Sequence, residues 1–159
     1  MQSSLVWTAE QATTSVSRAR LTSVERPETA YVAVGDADVA YQVAGEGPFD
    51  LLYSYGLGSH LELFWELPPF REFFTRLASF CRLIMFDRRG QGVSDGVPRN
   101  AFPTWEEWTE DIMAVLGAAE SERTTVMAAV DSGPIAMLFT AMHPELVNSL
   151  VLIIEDLGL

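Results

Sequence analysis

Residues 124–144, TTVMAAVDSGPIAMLFTAMHP, contain the pattern that decides the fold. The short apolar run at 126–128 predicts a buried strand, and residues 133–142 predict a helix that is closed by Pro144. Only a few residues separate these two segments, so the chain must turn sharply between them. The stretch therefore predicts a strand, a tight bend and a helix in direct succession.

The same alternation extends over most of the chain. Further strands are predicted at 30–34, 37–43, 51–53, 83–86 and 150–154. One helix is predicted from four apolar residues with helical spacing: Phe70, Phe73, Phe74 and Leu77. Strands that alternate with helices predict the α/β class, with a mostly parallel sheet and flanking helices.

A further helix is predicted from Thr104 to Gly117. It begins with a capping box, because Glu107 follows Thr104 by three residues. Its predicted apolar face consists of Trp105, Trp108, Ile112, Val115 and Leu116. Its predicted solvated face consists of Glu106, Glu107, Glu110 and Asp111.

Composition limits the possible partners. The 159 residues include 10 basic and 22 acidic side chains, a formal net charge of −12, which disfavours binding to nucleic acid or to an anionic membrane. No run of about 20 apolar residues is present that would span a bilayer. Cys81 is the only cysteine, so we expect no intrachain disulfide and a cytoplasmic location. The sequence has neither a CxxC motif nor a His/Cys cluster, so we expect no metal site. No cofactor is indicated.

Several segments resemble the α/β-hydrolase superfamily. Residues 39–48 resemble its second strand and turn, and residues 59–66 resemble the loop and helix after its third strand. The most specific piece is 86–95, FDRRGQGVSD, which is similar to the family's D-x-R-G-x-G-x-S signature. Residues 143–147, HPELV, are similar to the P-E-R-V that follows the elbow helix. The likeness is closest to hydrolase modules found beside adenylate or guanylate cyclase domains in actinobacterial proteins.

This resemblance implies a domain arrangement. Residues 29–159 correspond to the N-terminal half of an α/β-hydrolase domain, truncated after about its sixth strand. Residues 1–28 are polar, without a sustained period, and are predicted to form a flexible N-terminal arm.

The family carries its nucleophile on a tight elbow between small residues, usually as G-x-S-x-G. Aligned without gaps through the helix to Pro144, the corresponding residues are 128–132, AAVDS, and the nucleophile position is Val130. Valine has neither a lone pair for attack nor a proton for a base to remove. A shift by one residue would make Asp131 a carboxylate nucleophile, but it would rotate the helix by about 100°. A shift by two would offer Ser132.

The rest of the family's catalytic machinery is also incomplete in the sequence. The acid and the histidine of the triad are expected after later strands, and the two histidines present, His60 and His143, correspond to a loop and to a helix end. The resemblance implies backbone oxyanion donors at Leu57 and Asp131. The charge of Asp131 would oppose an oxyanion there if its side chain faced the site. Asp87 and Arg88 are candidates for an ion pair that supports the loop.

We therefore expect a hydrolase-like pseudoenzyme, a non-catalytic binding or regulatory module with a cleft for a small-molecule ligand. The alternative is a hydrolase of esters or similar small substrates that uses Asp131 or residues from another chain. The last strand is apolar on both faces, so we also expect a homo-oligomer or a partner chain at its edge. The N-terminal arm is a rival occupant of that edge.

Overall fold

The computed structural model describes residues 25–153. Most of the predicted arm, residues 1–24, and the end of the last predicted strand, from Ile154 onward, lie outside the described residues. The flexible-arm prediction is therefore untested.

The described chain forms one mixed six-stranded sheet with the order β1-β2-β4-β3-β5-β6. The strands β1 and β2 are antiparallel to their neighbours, whereas β3, β4, β5 and β6 are mutually parallel. Their bounds are β1 (Ala30–Val34), β2 (Ala37–Ala44), β3 (Asp50–Ser54), β4 (Arg82–Asp87), β5 (Thr124–Ala129) and β6 (Val147–Ile153). The predicted fold class, a mostly parallel sheet with flanking helices, is confirmed.

Helices connect the parallel strands. They are α1 (Leu61–Glu66), α2 (Pro68–Ala78), α3 (Trp105–Ala118) and α4 (Gly133–Met142). The capping box at the start of α3 is present, since Thr104 accepts from the Glu107 backbone N–H and Glu107 accepts from that of Thr104. The Pro134 ring fits at the beginning of α4 because the first helical turn does not need its missing N–H.

The sheet is covered on both faces. One apolar cluster joins α3 and α4 to the sheet and includes Ile112, Phe139 and Leu52, each almost fully buried. The other joins α1 and α2 to the opposite face and includes Trp65, Phe74 and Leu83. This two-sided burial explains why the central strands are continuous apolar runs instead of alternating ones.

Three predictions about these elements need correction. The strand β6 begins at Val147, three residues earlier than predicted, because it pairs with β5 from Thr124 onward through an irregularity in register. Trp105 is 55% exposed, since it is the first residue of α3 and lies beyond the edge of the core. Asp111 is fully buried although its sequence neighbours are acidic and solvated, because an arginine from the loop after β4 pairs with it.

Two further properties concern the described part of the chain. Between residues 25 and 153, no helix has the length and apolar character that crossing a bilayer requires. Over the same residues, no group of three or more His, Cys, Asp or Glu side chains is gathered closely enough to hold a metal ion.

Candidate functional site

The bend between β5 and α4 has Val130 at its summit. The strand ends at Ala129, residues Val130–Ser132 form a single 3-10 turn, and α4 begins at Gly133. Val130 has a φ of 56°, a left-handed conformation that costs a β-branched residue about 1–3 kcal/mol. Its side chain is 46% exposed. The most strained backbone of this bend thus presents an isopropyl group to solvent.

The residues that flank the bend are small and buried. Ala128 and Ser132 are each 1% exposed, which allows the strand and the helix to approach closely. The Ser132 hydroxyl lies 2.6 Å from the Ser54 carbonyl oxygen and 2.7 Å from that of Ala129. It therefore donates into the backbone beneath the bend. Ser132 secures the turn and is not presented to solvent as a nucleophile would be.

Asp131 turns its carboxylate toward the loop after β3. Its Oδ1 accepts from the Leu57 backbone N–H at 2.5 Å, and its Oδ2 accepts from Arg88 Nη2 at 2.7 Å. The side chain is 46% exposed, whereas that of Arg88 is 7% exposed. Leu57 is one of the two predicted oxyanion donors, and its N–H is engaged by a carboxylate of the same chain.

The environment of Asp131 favours its ionised form. Partial burial opposes ionisation, but it is outweighed by hydrogen bonds from the Leu57 N–H and Arg88, by the Arg88 charge and by the backbone N–H of Asp131 itself. Together they lower the pKa of the Asp131 carboxyl below its ordinary value. At neutral pH the group is therefore a carboxylate with both oxygens engaged.

Gly56 allows this approach. Its φ is 94°, and a Cβ at this position would collide with Asp131 Oδ1. The glycine therefore does more than permit a turn, because it lets the carboxylate reach the Leu57 N–H.

Arg88 is the buried cation of the site. Its guanidinium carbon lies 4.5 Å from the centroid of the Trp108 ring, an arrangement that favours the cation. Among the described residues, its Nε and Nη1 have no hydrogen-bond partner. The predicted ion pair of Asp87 with Arg88 is wrong, since the guanidinium pairs with Asp131, 43 residues away.

Asp87 instead holds two loops together. It is fully buried and accepts from the Ser59 hydroxyl and from the backbone N–H groups of Leu61 and Val93, the last two at 3.0 Å. Ser59 and Leu61 lie just after Leu57, whereas Val93 lies in the loop after β4. Asp87 thereby supports the segment that supplies the Leu57 donor.

The histidines have structural positions. His60 is the N-cap of α1, where its Nδ1 accepts from the Leu63 N–H at 3.3 Å. His143 is the C-cap of α4 and packs against Phe139. Ten helical residues separate it from the bend, a length of about 15 Å. The loop and capping roles expected for both histidines are confirmed.

Two cavities open on other parts of the surface. One, of about 340 Å³, lies between the β1–β2 turn and the start of α3, where Asp36, Arg89 and Glu107 contribute to its wall. The other, of about 260 Å³, lies beside His60 and Glu62. Neither is lined by Leu57, Arg88 or a residue of the bend.

Arg88 is the site residue whose ion-pair partner the sequence did not predict. Its position in the 86–95 signature marked it as a residue of this loop, but local spacing suggested the adjacent Asp87 as its partner. A better signal is that Arg88 follows the strand β4 and Asp131 follows the parallel strand β5, so both lie at the carboxyl ends of strands in one sheet, where a guanidinium and a carboxylate can pair.

Solved structures with the same fold were found, although no protein-family model and no curated protein sequence matches the chain. A hydrolase from Pseudomonas aeruginosa PA01 superposes with a TM-score of 0.67 at 25% identity, over 79% of this chain and 45% of that one. A bacterial membrane phospholipase A gives a TM-score of 0.67 at 26% identity, over 83% and 40%. An epoxide hydrolase from Vigna radiata gives 0.68 at 20%, again over 83% and 40%.

These similarities show that the chain has the α/β-hydrolase fold. The chain spans 45% or less of the length of each of these three proteins. Their activities therefore describe the longer proteins and do not transfer to this chain by similarity alone.

Proposed function

We propose that this protein is a non-catalytic binding or regulatory module with the α/β-hydrolase fold. The observation that carries the proposal is Val130, which stands at the strained summit of the bend with φ of 56° and is 46% exposed. A nucleophile of this fold needs that position, and an aliphatic side chain cannot attack a carbonyl carbon.

The neighbouring polar groups do not replace the nucleophile. The Ser132 hydroxyl donates into the backbone and is 1% exposed. The Leu57 N–H, which would stabilise a developing oxyanion, already donates to a charged oxygen of Asp131. A second negative charge at that place would be repelled instead of stabilised.

A hydrolase that uses Asp131 is the second candidate. Its support is the ionised state and 46% exposure of the carboxylate. Attack would require one oxygen to leave its partner, however, and the two partners are the Leu57 N–H and the Arg88 guanidinium. Charge-assisted bonds of this kind withdraw the electron density that a nucleophile must supply.

We expect the wild-type protein to hydrolyse p-nitrophenyl acetate and p-nitrophenyl butyrate no faster than buffer, with no initial burst. The variants Asp131→Asn and Val130→Ala should give the same result, because neither residue acts on the ester. Release of p-nitrophenolate is followed by absorbance. An activity that Asp131→Asn abolishes and Val130→Ala leaves intact would establish the hydrolase in place of the binding module. An activity that appears with Val130→Ser would identify a vestigial catalytic site.

We also propose that two copies associate through β6. This strand lies at one end of the described sheet, and Val151, Leu152 and Ile153 are each more than a third exposed. It carries no charged residue although the chain has a net charge of −12, so pairing would bury apolar surface without opposing charges in the strand.

Light scattering after size exclusion should therefore report a dimer at micromolar concentration. Val151→Lys should shift the mass to that of a monomer, because it puts a charge on the contact. The matched control is Tyr31→Lys on β1, at the opposite end of the sheet, where the native side chain is 53% exposed. A wild-type monomer, or dissociation caused by the control alone, contradicts this prediction.

The closer kinship with hydrolase modules beside nucleotide cyclase domains stays a prediction from the segments 39–48 and 86–95. It is compatible with a regulatory role, since a module that accompanies another domain can act without its own chemistry.

A further inference from the structure

We propose that the bend is a carboxylate-binding site that the native chain fills with its own Asp131, and that the same donors accept short aliphatic monocarboxylates when the Asp131 carboxylate is absent. The inference rests on the proposed function in one respect, that the site binds a ligand without transforming it.

The site is built for an anion. The Leu57 N–H and the Arg88 guanidinium converge on the two oxygens of one carboxylate, at 2.5 and 2.7 Å. The first turn of α4 follows the bend directly, and the positive end of a helix favours a negative charge placed near it. The bound carboxylate is itself evidence of what this set of donors accepts.

The buried cation requires an anionic partner. Arg88 is 6% exposed, and a guanidinium so far from water is costly unless it is paired. The two buried carboxylates of the described chain are engaged elsewhere: Asp87 by Ser59, Leu61 and Val93, and Asp111 by Arg89. If Asp131 were removed, the Arg88 charge would have no counter-ion from these groups.

The rim of the site is apolar. Leu57, whose backbone N–H is one of the two donors, is 66% exposed. Val130, the residue before Asp131 in the chain, is 46% exposed. Leu57 and Val130 are therefore the exposed apolar side chains available to a ligand that replaced the Asp131 carboxylate. An aliphatic tail would bury them, whereas a second charged group would not. This selects a monocarboxylate with a short alkyl chain.

The tether explains why the native protein would not take such a ligand readily. A carboxylate that belongs to the same folded chain acts at an effective concentration of the order of millimolar or more. An outside carboxylate must compete with that concentration, so the native site is self-occupied.

Chemical rescue tests the inference. Asp131→Ala opens the site, and butyrate should raise its unfolding midpoint by about 2–4 °C relative to chloride at equal ionic strength. Formate should have a smaller effect, because it has no tail to cover Leu57 and Val130. The matched control is Asp131→Asn, which leaves the site filled by a neutral side chain of the same shape. This control and the wild-type protein should show no difference between butyrate and chloride.

A second measurement applies if the midpoint of Asp131→Ala is too low to follow. In the variant Asp131→Ser, butyrate should shift the amide resonance of Leu57 with saturation, and chloride should not. The inference is overturned if neither Asp131→Ala nor Asp131→Ser responds specifically to butyrate. It is also overturned if Asp131→Asn and the wild-type protein respond to butyrate as strongly as Asp131→Ala does. Ester turnover by the wild-type protein would overturn the proposed function, but it would leave this rescue result standing.

Discussion

Replacing Asp87 by alanine is expected to lower the free energy of unfolding by about 3–5 kcal/mol. The carboxylate is 0% exposed and accepts three hydrogen bonds, from the Ser59 hydroxyl and from the backbone N–H groups of Leu61 and Val93. The substitution leaves all three donors without this acceptor, and those of Ser59 and Leu61 are buried. It also releases the loop after β3 from the loop after β4, and with it the segment that holds Leu57.

Urea unfolding followed by tryptophan fluorescence measures this loss. Asp95→Ala is the matched control, because Asp95 lies in the same loop and accepts a single bond, from the Asp38 N–H at 2.9 Å, at an exposed position. The control should cost about 1 kcal/mol or less. Equal losses for the two variants would show that Asp87 is not the connection between the loops.

The fold was predictable because its signal is repeated along the chain. Apolar runs of strand length alternate along the chain with segments whose apolar residues have helical spacing. Each strand followed by a helix predicts the same arrangement, a sheet with helices packed on its faces. The capping box at Thr104 and Glu107 is a local pattern, so it was predictable in full. The start of β6 was not, because it depends on the pairing of Val147 with Thr124 across an irregular register.

The candidate site was predictable in its backbone and not in its side chains. The spacing from the bend to Pro144 predicts Val130 at the nucleophile position, and Val130 is the residue of the bend that has a positive φ. The direction of the Asp131 side chain is not predictable from the sequence, because its partners lie 74 and 43 residues away in the chain. Arg88 and Arg89 are adjacent, yet they pair with Asp131 and Asp111 from different elements. No local spacing distinguishes those partners.

Asp111→Ala is expected to cost about 3–5 kcal/mol of the free energy of unfolding. Its side chain is 0% exposed, its Oδ2 accepts from the Arg89 backbone N–H at 3.0 Å, and its Oδ1 lies 2.7 Å from Arg89 Nε. Burial raises the pKa of the Asp111 carboxyl, and the contacts with Arg89 oppose that rise. Without the carboxylate, a guanidinium that is 15% exposed keeps its charge and loses this counter-ion.

The control for Asp111→Ala is its neighbour Glu110, which approaches the same arginine at 3.8 Å but is 66% exposed. Glu110→Ala should change the free energy of unfolding by about 0.5 kcal/mol or less, because an exposed pair is screened by solvent. The double variant Asp111→Leu with Arg89→Met should recover most of the loss, since an apolar pair needs no counter-charge. If the double variant is as unstable as Asp111→Ala, the cost arises from packing in α3 and not from the unpaired charge. Recovery would show that the Arg89 charge, and not the packing of α3, is what makes Asp111 necessary.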